Sequence, residues 1–296
     1  MSAPAQTAHP PSLRQAPLAG AVFCLGWLVL YLPAYLDFAE GAWRRAENGH
    51  ALFIMAVIAG AAGARLAAGG FVVTKNLTAQ VAGLASLGSG LAAFAIGRAA
   101  EADVITSASQ GPVALGVVLI LFGWRGVLRL WFALAMIFYL IIWPGWLLDG
   151  LTAPLKMLVS QLVANGLHAA GLPVAHAGAV IAAGPYQLLV ADACSGLNSL
   201  IALTSVGAIY LYAAKHDDWR VNAVVIASLA PIAILANILR VTILVLITYY
   251  FGYDAGQGFL HDGAGLVMFA AALASVFAVD ALAMWAFSMS AKGWRS

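Results

Sequence analysis

The sequence predicts an all-α, polytopic membrane protein: about eight transmembrane helices with an amphipathic segment on the outer face. Three observations predict it. Of the 296 residues, 63% are hydrophobic and only 9% are charged, against roughly 25% charged in a soluble domain. Mean hydropathy is +0.94. Apolar runs of roughly 20 residues, the length that crosses the hydrocarbon core, recur from end to end. A net charge of +2 is too small to draw nucleic acid, and no basic arm or zinc-type spacing appears. Two cysteines make no disulfide framework.

The spans read as 17–38, 51–70, 77–97, 111–124, 130–147, 195–214, 221–251 and 264–287. Residues 1–16 are polar and Pro-rich, and the run that follows is too long for the apolar region of a cleaved signal peptide, so it reads as a retained first span. The fourth run is short. The seventh is long for one crossing, but no polar turn divides it, Pro231 is placed to kink it, and tilt absorbs the excess. With the N-terminus in the cytoplasm, the inner face holds Arg14, Arg65, Lys75, Arg125, Arg129, Lys215, Arg220, Lys292 and Arg295. The outer face holds Arg44, Arg45, Arg98 and Lys156. Nine against four supports this orientation, because cytoplasmic loops carry the excess of Lys and Arg. No long internal repeat is evident, and residues 1–296 read as a single membrane domain with its core at 130–287.

One segment, 150–192, is expected outside the membrane. In its first half Leu155, Leu158, Val159, Leu162, Val163 and Leu167 recur at helical spacing, interrupted by Lys156, Gln161 and Asn165. An amphipathic helix in the outer interface fits that pattern. The second half is rich in β-branched residues and broken by Gly and Pro, which suits a small hairpin or an extended arm. His168 and His176 lack the neighbouring carboxylates of a metal site and read as surface residues; no metal and no cofactor is expected.

Ionisable side chains are costly in hydrocarbon and so point to function. Three positions stand out. Cys194 opens the sixth span in a collar of small or polar residues: Asp192, Ser195, Gly196, Asn198 and Ser199. A cysteine in an apolar helix is ordinarily a small core residue, and Cys24 is read that way. At a helix start, however, unpaired N–H groups favour the thiolate, and core packing would not choose that collar. Arg240 lies nineteen residues after Val221 in an otherwise apolar stretch, about 29 Å along a helix and so near the outer edge of the core. Asn237, three residues earlier, shares its side of the helix. His261, with Asp262 beside it, lies where the chain re-enters from outside. All three positions belong to one membrane face. The chemistry is coherent: a cysteine nucleophile, a histidine that exchanges protons near neutral pH, and an arginine able to stabilise the oxyanion formed when a peptide carbonyl is attacked.

These residues closely resemble the exosortase and archaeosortase family. The marks are Ala193-Cys194-Ser195-Gly196-Leu197, then Asn237-Ile238-Leu239-Arg240, then His261 with Gly265 after it, supported upstream by 152–156 and by Gly171-Leu172-Pro173-Val174 and Gly178. The likeness covers roughly 130–287, and the earlier spans match only in hydropathy. Asn198 stands where many relatives carry arginine, a departure that suggests the B-type exosortases. The resemblance implies a cysteine transpeptidase or peptidase in the inner membrane of a Gram-negative, exopolysaccharide-making bacterium, with its active site on the periplasmic face. Its partners would be membrane lipid, exported proteins bearing a C-terminal Pro-Glu-Pro-type (PEP-type) sorting signal, and an acceptor nucleophile whose identity the sequence does not give. By motif, Cys194 would form a thioester acyl-enzyme, His261 would move protons, and Arg240 would hold the oxyanion or the motif's glutamate. Ser195, Gly196, Asn198, Asn237 and Asp192 would support the site or the substrate.

Two other classes are weighed. In a transporter or flippase for polysaccharide precursors, Arg240 and Asn237 would line the path, but no paired inverted repeat appears and Cys194 has no work. In a structural subunit, all three residues would be replaceable without loss beyond stability.

Overall fold

A computed structural model describes residues 15–44, 50–189, 196–214, 218–252, 254–255 and 259–293, with backbone alone for 15–22, 24, 196–200, 259–266 and 289–293. The chain divides into two compact units, Met1–Ile142 and Trp143–Ser296.

The first unit contains α1 (Gln15–Glu40), α2 (Ala51–Ala67), α3 (Leu77–Ala99), the short α4 (Asp103–Ala108) and α5 (Gln110–Met136), with 3-10 turns at Ala42–Arg44 and Ile137–Leu140. Asn76 starts α3 by accepting from the N–H groups of Thr78 and Ala79 at 3.0 and 3.3 Å, which satisfies two of the donors every helix start leaves unpaired. α3 then presents Gly83, Gly90 and Gly97, seven residues apart, to α4 and α5. A Cβ on Gly83 would stand 2.9 Å from the carbonyl oxygen of Gly116, and one on Gly90 2.8 Å from the nitrogen of Val113. The backbones are in contact, as small residues allow where lipid removes any hydrophobic drive between helices.

Gly123 breaks α5 at φ +65°, ψ −164°, a conformation essentially restricted to glycine. The chain doubles back there. Ile142 N–H donates to Ser107 Oγ at 2.9 Å, although an unbroken helix would carry residue 142 about 50 Å away. The two arms are the fourth and fifth predicted spans. α1 is pinned to the α4–α5 junction by a ladder of rings four residues apart. Trp27 Nε1 donates to Tyr35 Oη at 3.1 Å, Tyr31 Oη and Ser109 Oγ are hydrogen-bonded at 2.8 Å, and Tyr35 Oη donates to Gln110 Oε1 at 2.6 Å.

The second unit opens with α6 (Gly145–Ala169), followed by the antiparallel meander β1 (Val174–Ala177), β2 (Val180–Ala183) and β3 (Tyr186–Leu189). Gly178 and Gly184, at φ +61° and +59°, each open a two-residue turn, Gly-Ala and Gly-Pro, as tight hairpins require. The segment expected to be a hairpin or an arm is thus a double hairpin, a small sheet within an otherwise helical chain. α6 also begins earlier than the sequence suggests. Residues 145–147 belong to it and not to the fifth span, because Pro144 holds extended backbone (φ −69°, ψ 141°) immediately before it. At 25 residues α6 is itself long and apolar enough to cross a membrane. Its buried stripe Val159, Val163, Ala164 and Leu167 packs on Val174, Ile181, Ala183 and Leu188 of the sheet.

Three helices complete this unit: α7 (Gly196–Ala214), α8 (Trp219–Phe251) and α9 (Phe259–Gly293). α8 is one uninterrupted helix of 33 residues with Pro231 inside it. Its later residues Val241, Leu244 and Val245 join the sheet and α6, while Val221, Val225, Leu229 and Ala233 pack with Leu203 of α7 and Ala272, Val276 and Ala283 of α9. Each of the eight predicted spans has a helical counterpart.

Gly123→Ala is expected to lower the midpoint of thermal unfolding in detergent. The non-glycine backbone there costs about 1–3 kcal/mol, and the new Cβ would lie 2.9 Å from Thr74 Oγ1. Gly111→Ala, with nothing within 4 Å of the added carbon, is the matched control; equal midpoints for the two variants would refute the hairpin geometry.

Candidate functional site

α7 begins within the first sequence motif, at Gly196, α8 and α9 carry the other two, and the three helices pack against one another. Contacts along their length give the directions. Gly207 of α7 rests on Leu229 of α8. Four residues earlier, Leu203 shares a cavity with Asn237 and Arg240 of α8 and with Met268 and Phe269 of α9. Further along α7, Tyr210 donates to Asp280 Oδ2 of α9 at 2.6 Å. α7 and α9 therefore run parallel, and α8 runs against both. The first turns of α7 and α9 stand at the end where α8 finishes.

Arg240 sits where α8 passes from one core to the other, between Ala233 of the helix core and Val241 of the sheet core. The space around it exists because Ala233, Ala236 and Ala272 are small. The cavity is about 20 Å³, room for one water or one small polar group. Asn237 is 4% exposed, and its Oδ1 has no hydrogen-bond partner among the described residues. A buried acceptor left unpaired costs about 1–3 kcal/mol, so Asn237 is a standing acceptor beside a guanidinium.

Several predicted site residues fall partly or wholly beyond this description. Asp192, Cys194 and Ser195 lie outside the described residues. Gly196 and Asn198 lie on the first turn of α7, and His261 on the first turn of α9, each with backbone alone described. Leu203 is seven residues after Gly196, and Met268 is seven after His261, so the Arg240 cavity lies about 10 Å along the helices from both first turns. The structure thus brings Asn237 and Arg240 together and sets the helices that carry Gly196 and His261 beside them. His168 and His176 are exposed, as surface residues should be.

One buried ionisable group was not singled out from the sequence. Asp280 is 1% exposed in the middle of the apolar run Val267–Ser288. The rule that selects Arg240, an ionisable side chain inside a span, also selects Asp280. Its Tyr210 partner ties α7 to α9 deeper in the same three-helix pack.

The sequence model of one protein family, transmembrane exosortase, matches residues 42–278, across the boundary between the two units. No curated protein sequence and no solved structure matches the chain.

Tyr210→Phe removes the hydroxyl that donates to a buried carboxylate, a loss worth about 1–3 kcal/mol. A lower thermal midpoint in detergent is expected, whereas Tyr250→Phe, on a residue 65% exposed, should leave it unchanged. If both variants melt with the wild type, the Tyr210–Asp280 bond does not hold these helices.

Proposed function

As the chain belongs to the transmembrane exosortase family and so is a membrane transpeptidase of protein sorting, we propose that it cleaves exported proteins at a C-terminal Pro-Glu-Pro-type signal and passes them to an acceptor. The observation that carries this reading is the mutual packing of α7, α8 and α9, with Asn237 and Arg240 on a shared cavity. Cys194 is two residues before Gly196, within about 7 Å of it by chain length alone. The helix that begins two residues after Cys194 is flanked by the helix carrying Arg240 and the helix carrying His261.

Cys194 Sγ attacks the scissile carbonyl carbon, and the carbonyl oxygen takes up negative charge. Arg240, a permanent cation, stabilises that charge, or the carboxylate of the signal's glutamate. That attack forms the Sγ–C bond; collapse of the intermediate restores the carbonyl and breaks the peptide C–N bond, leaving a thioester, and His261 delivers to the departing amine the proton it took from the thiol. The acceptor's nucleophile, deprotonated by His261, then attacks the thioester and returns Cys194 as thiolate. Asn237 places an amide beside Arg240, and Asp192, Ser195, Gly196 and Asn198 shape the approach to the thiol. Water in the acceptor's place makes the same steps a proteolysis. The site faces the periplasm from the bacterial inner membrane, in a cell that builds exopolysaccharide at its surface, and Asn198 marks the B-type subgroup.

The test is the size of a tagged substrate with a Pro-Glu-Pro-type signal, co-expressed with each variant at equal enzyme level. Cys194→Ala is expected to abolish shortening, since loss of a nucleophile costs several orders of magnitude. Arg240→Gln should slow it by about 10²–10³. Undiminished cleavage with Cys194→Ala would end the thiol mechanism, and cleavage retained in His261→Ala would remove the proton-transfer role.

A further inference from the structure

A cavity of about 480 Å³ opens in the first unit between the loop from α2 to α3 and the reversal at Gly123. Its walls are firmly built. Thr74 N–H donates to the carbonyl oxygen of Leu121 at 2.9 Å, and Gln80 Nε2 donates to that of Thr74 at 3.2 Å. Arg129 donates to the carbonyl oxygens of Gly69, at 3.3 Å, and Gly70, with its guanidinium 5.4 Å from the centre of the Phe71 ring. Arg125 and Arg129 line the cavity, and Lys75 lies in the same loop.

Charge at this end of the unit is of one sign. No Asp or Glu occurs between Glu47 and Glu101, or between Asp103 and Asp149. The described acids of the unit, Asp37, Glu40, Glu101 and Asp103, stand at the opposite ends of its helices, where Asp37 pairs with Arg98. Among the described residues Arg125 and Lys75 have no hydrogen-bonded or ionic side-chain partner. The rim is apolar: Val72 is 73% exposed and Trp124 50%. A tryptophan between cations, beside exposed aliphatic residues, marks the level where acyl chains meet headgroups.

We propose that this cavity binds the phosphate-bearing headgroup of an anionic phospholipid on the face that charge counting assigns to the cytoplasm. Arg125 and Arg129, which line the cavity, meet the phosphate, Lys75 adds its charge from between the lining residues Thr74 and Asn76, and Val72 and Trp124 lie along the acyl chains. A soluble anion would use the cations but not the rim, and so the lipid is the occupant that uses the whole site. Basic pockets between transmembrane helices on this face suit such headgroups.

The test uses the purified full chain in mild detergent, with thermal midpoint followed against mixed micelles of phosphatidylglycerol, of phosphatidylcholine, and against inorganic phosphate. Phosphatidylglycerol alone is expected to raise the midpoint in a saturable way. Arg125→Gln and Lys75→Gln, at exposed positions with no partner to lose, should each weaken its half-saturation about five-fold. Arg125→Lys should keep most of it, and Arg220→Gln, a cation of the same face in the other unit, should change nothing. The proposal fails if phosphatidylcholine acts equally, if inorganic phosphate alone reproduces the shift, if Arg220→Gln weakens it as much as Arg125→Gln, or if the Lys75→Gln, Arg125→Gln double variant responds like wild type.

Discussion

In hydrocarbon, an apolar side chain gains nothing by leaving lipid for protein, so helices hold together only through close contact and hydrogen bonds. That constraint organises both units. In the first, Gly83, Gly90 and Gly97 bring α3 close against the backbone of α4 and α5, and the tyrosine hydroxyls of α1 find partners at the α4–α5 junction. In the second, Gly207 admits Leu229 and the Tyr210–Asp280 bond ties α7 to α9.

The region of Arg240 follows the same logic from the other side. Alanines at 233, 236 and 272 could have been larger and closed the space. Left small, they keep a cavity beside Asn237 and Arg240 among three helices, at the level where α8 changes partners from helices to sheet. α8 is thus the common wall of two cores. Its continuity over 33 residues sets the position of Arg240 along the helix, and the oxyanion role proposed for that residue would need such a fixed place before charge develops.

Much of this was legible in the sequence. Hydropathy located helices for every predicted span, even the two arms of α5, which the charged residues Arg125 and Arg129 divide in the sequence and the backbone of Gly123 divides in the structure. The packing of α7, α8 and α9 was a requirement of the motif reading and not deducible from spacing, which fixes depth but not neighbours. The glycine repeat of α3 was present as a period of seven and was submerged in the general abundance of glycine, 30 residues in all. The early start of α6 was hidden because Pro144 sits inside an apolar run that hydropathy treats as continuous. The double hairpin was half-legible: Gly178 and Gly184 punctuate the segment, but four-residue strands are too short for alternation to show. Asp280 was readable by the rule that found Arg240, and was passed over for want of a motif around it.

The ladder on α1 also sets a timetable. Tyr31 meets a residue made 78 positions later, and Tyr35 one made 75 positions later. At about 5–20 residues per second, the first helix is made roughly 4–16 s before its partners exist. Through that interval the nascent chain must park an aromatic and hydroxyl-bearing face in lipid, at the translocon or against an insertion chaperone. α1 is made well before the residues that fix it, and its residence time in between belongs to the cell's insertion machinery as much as to the fold.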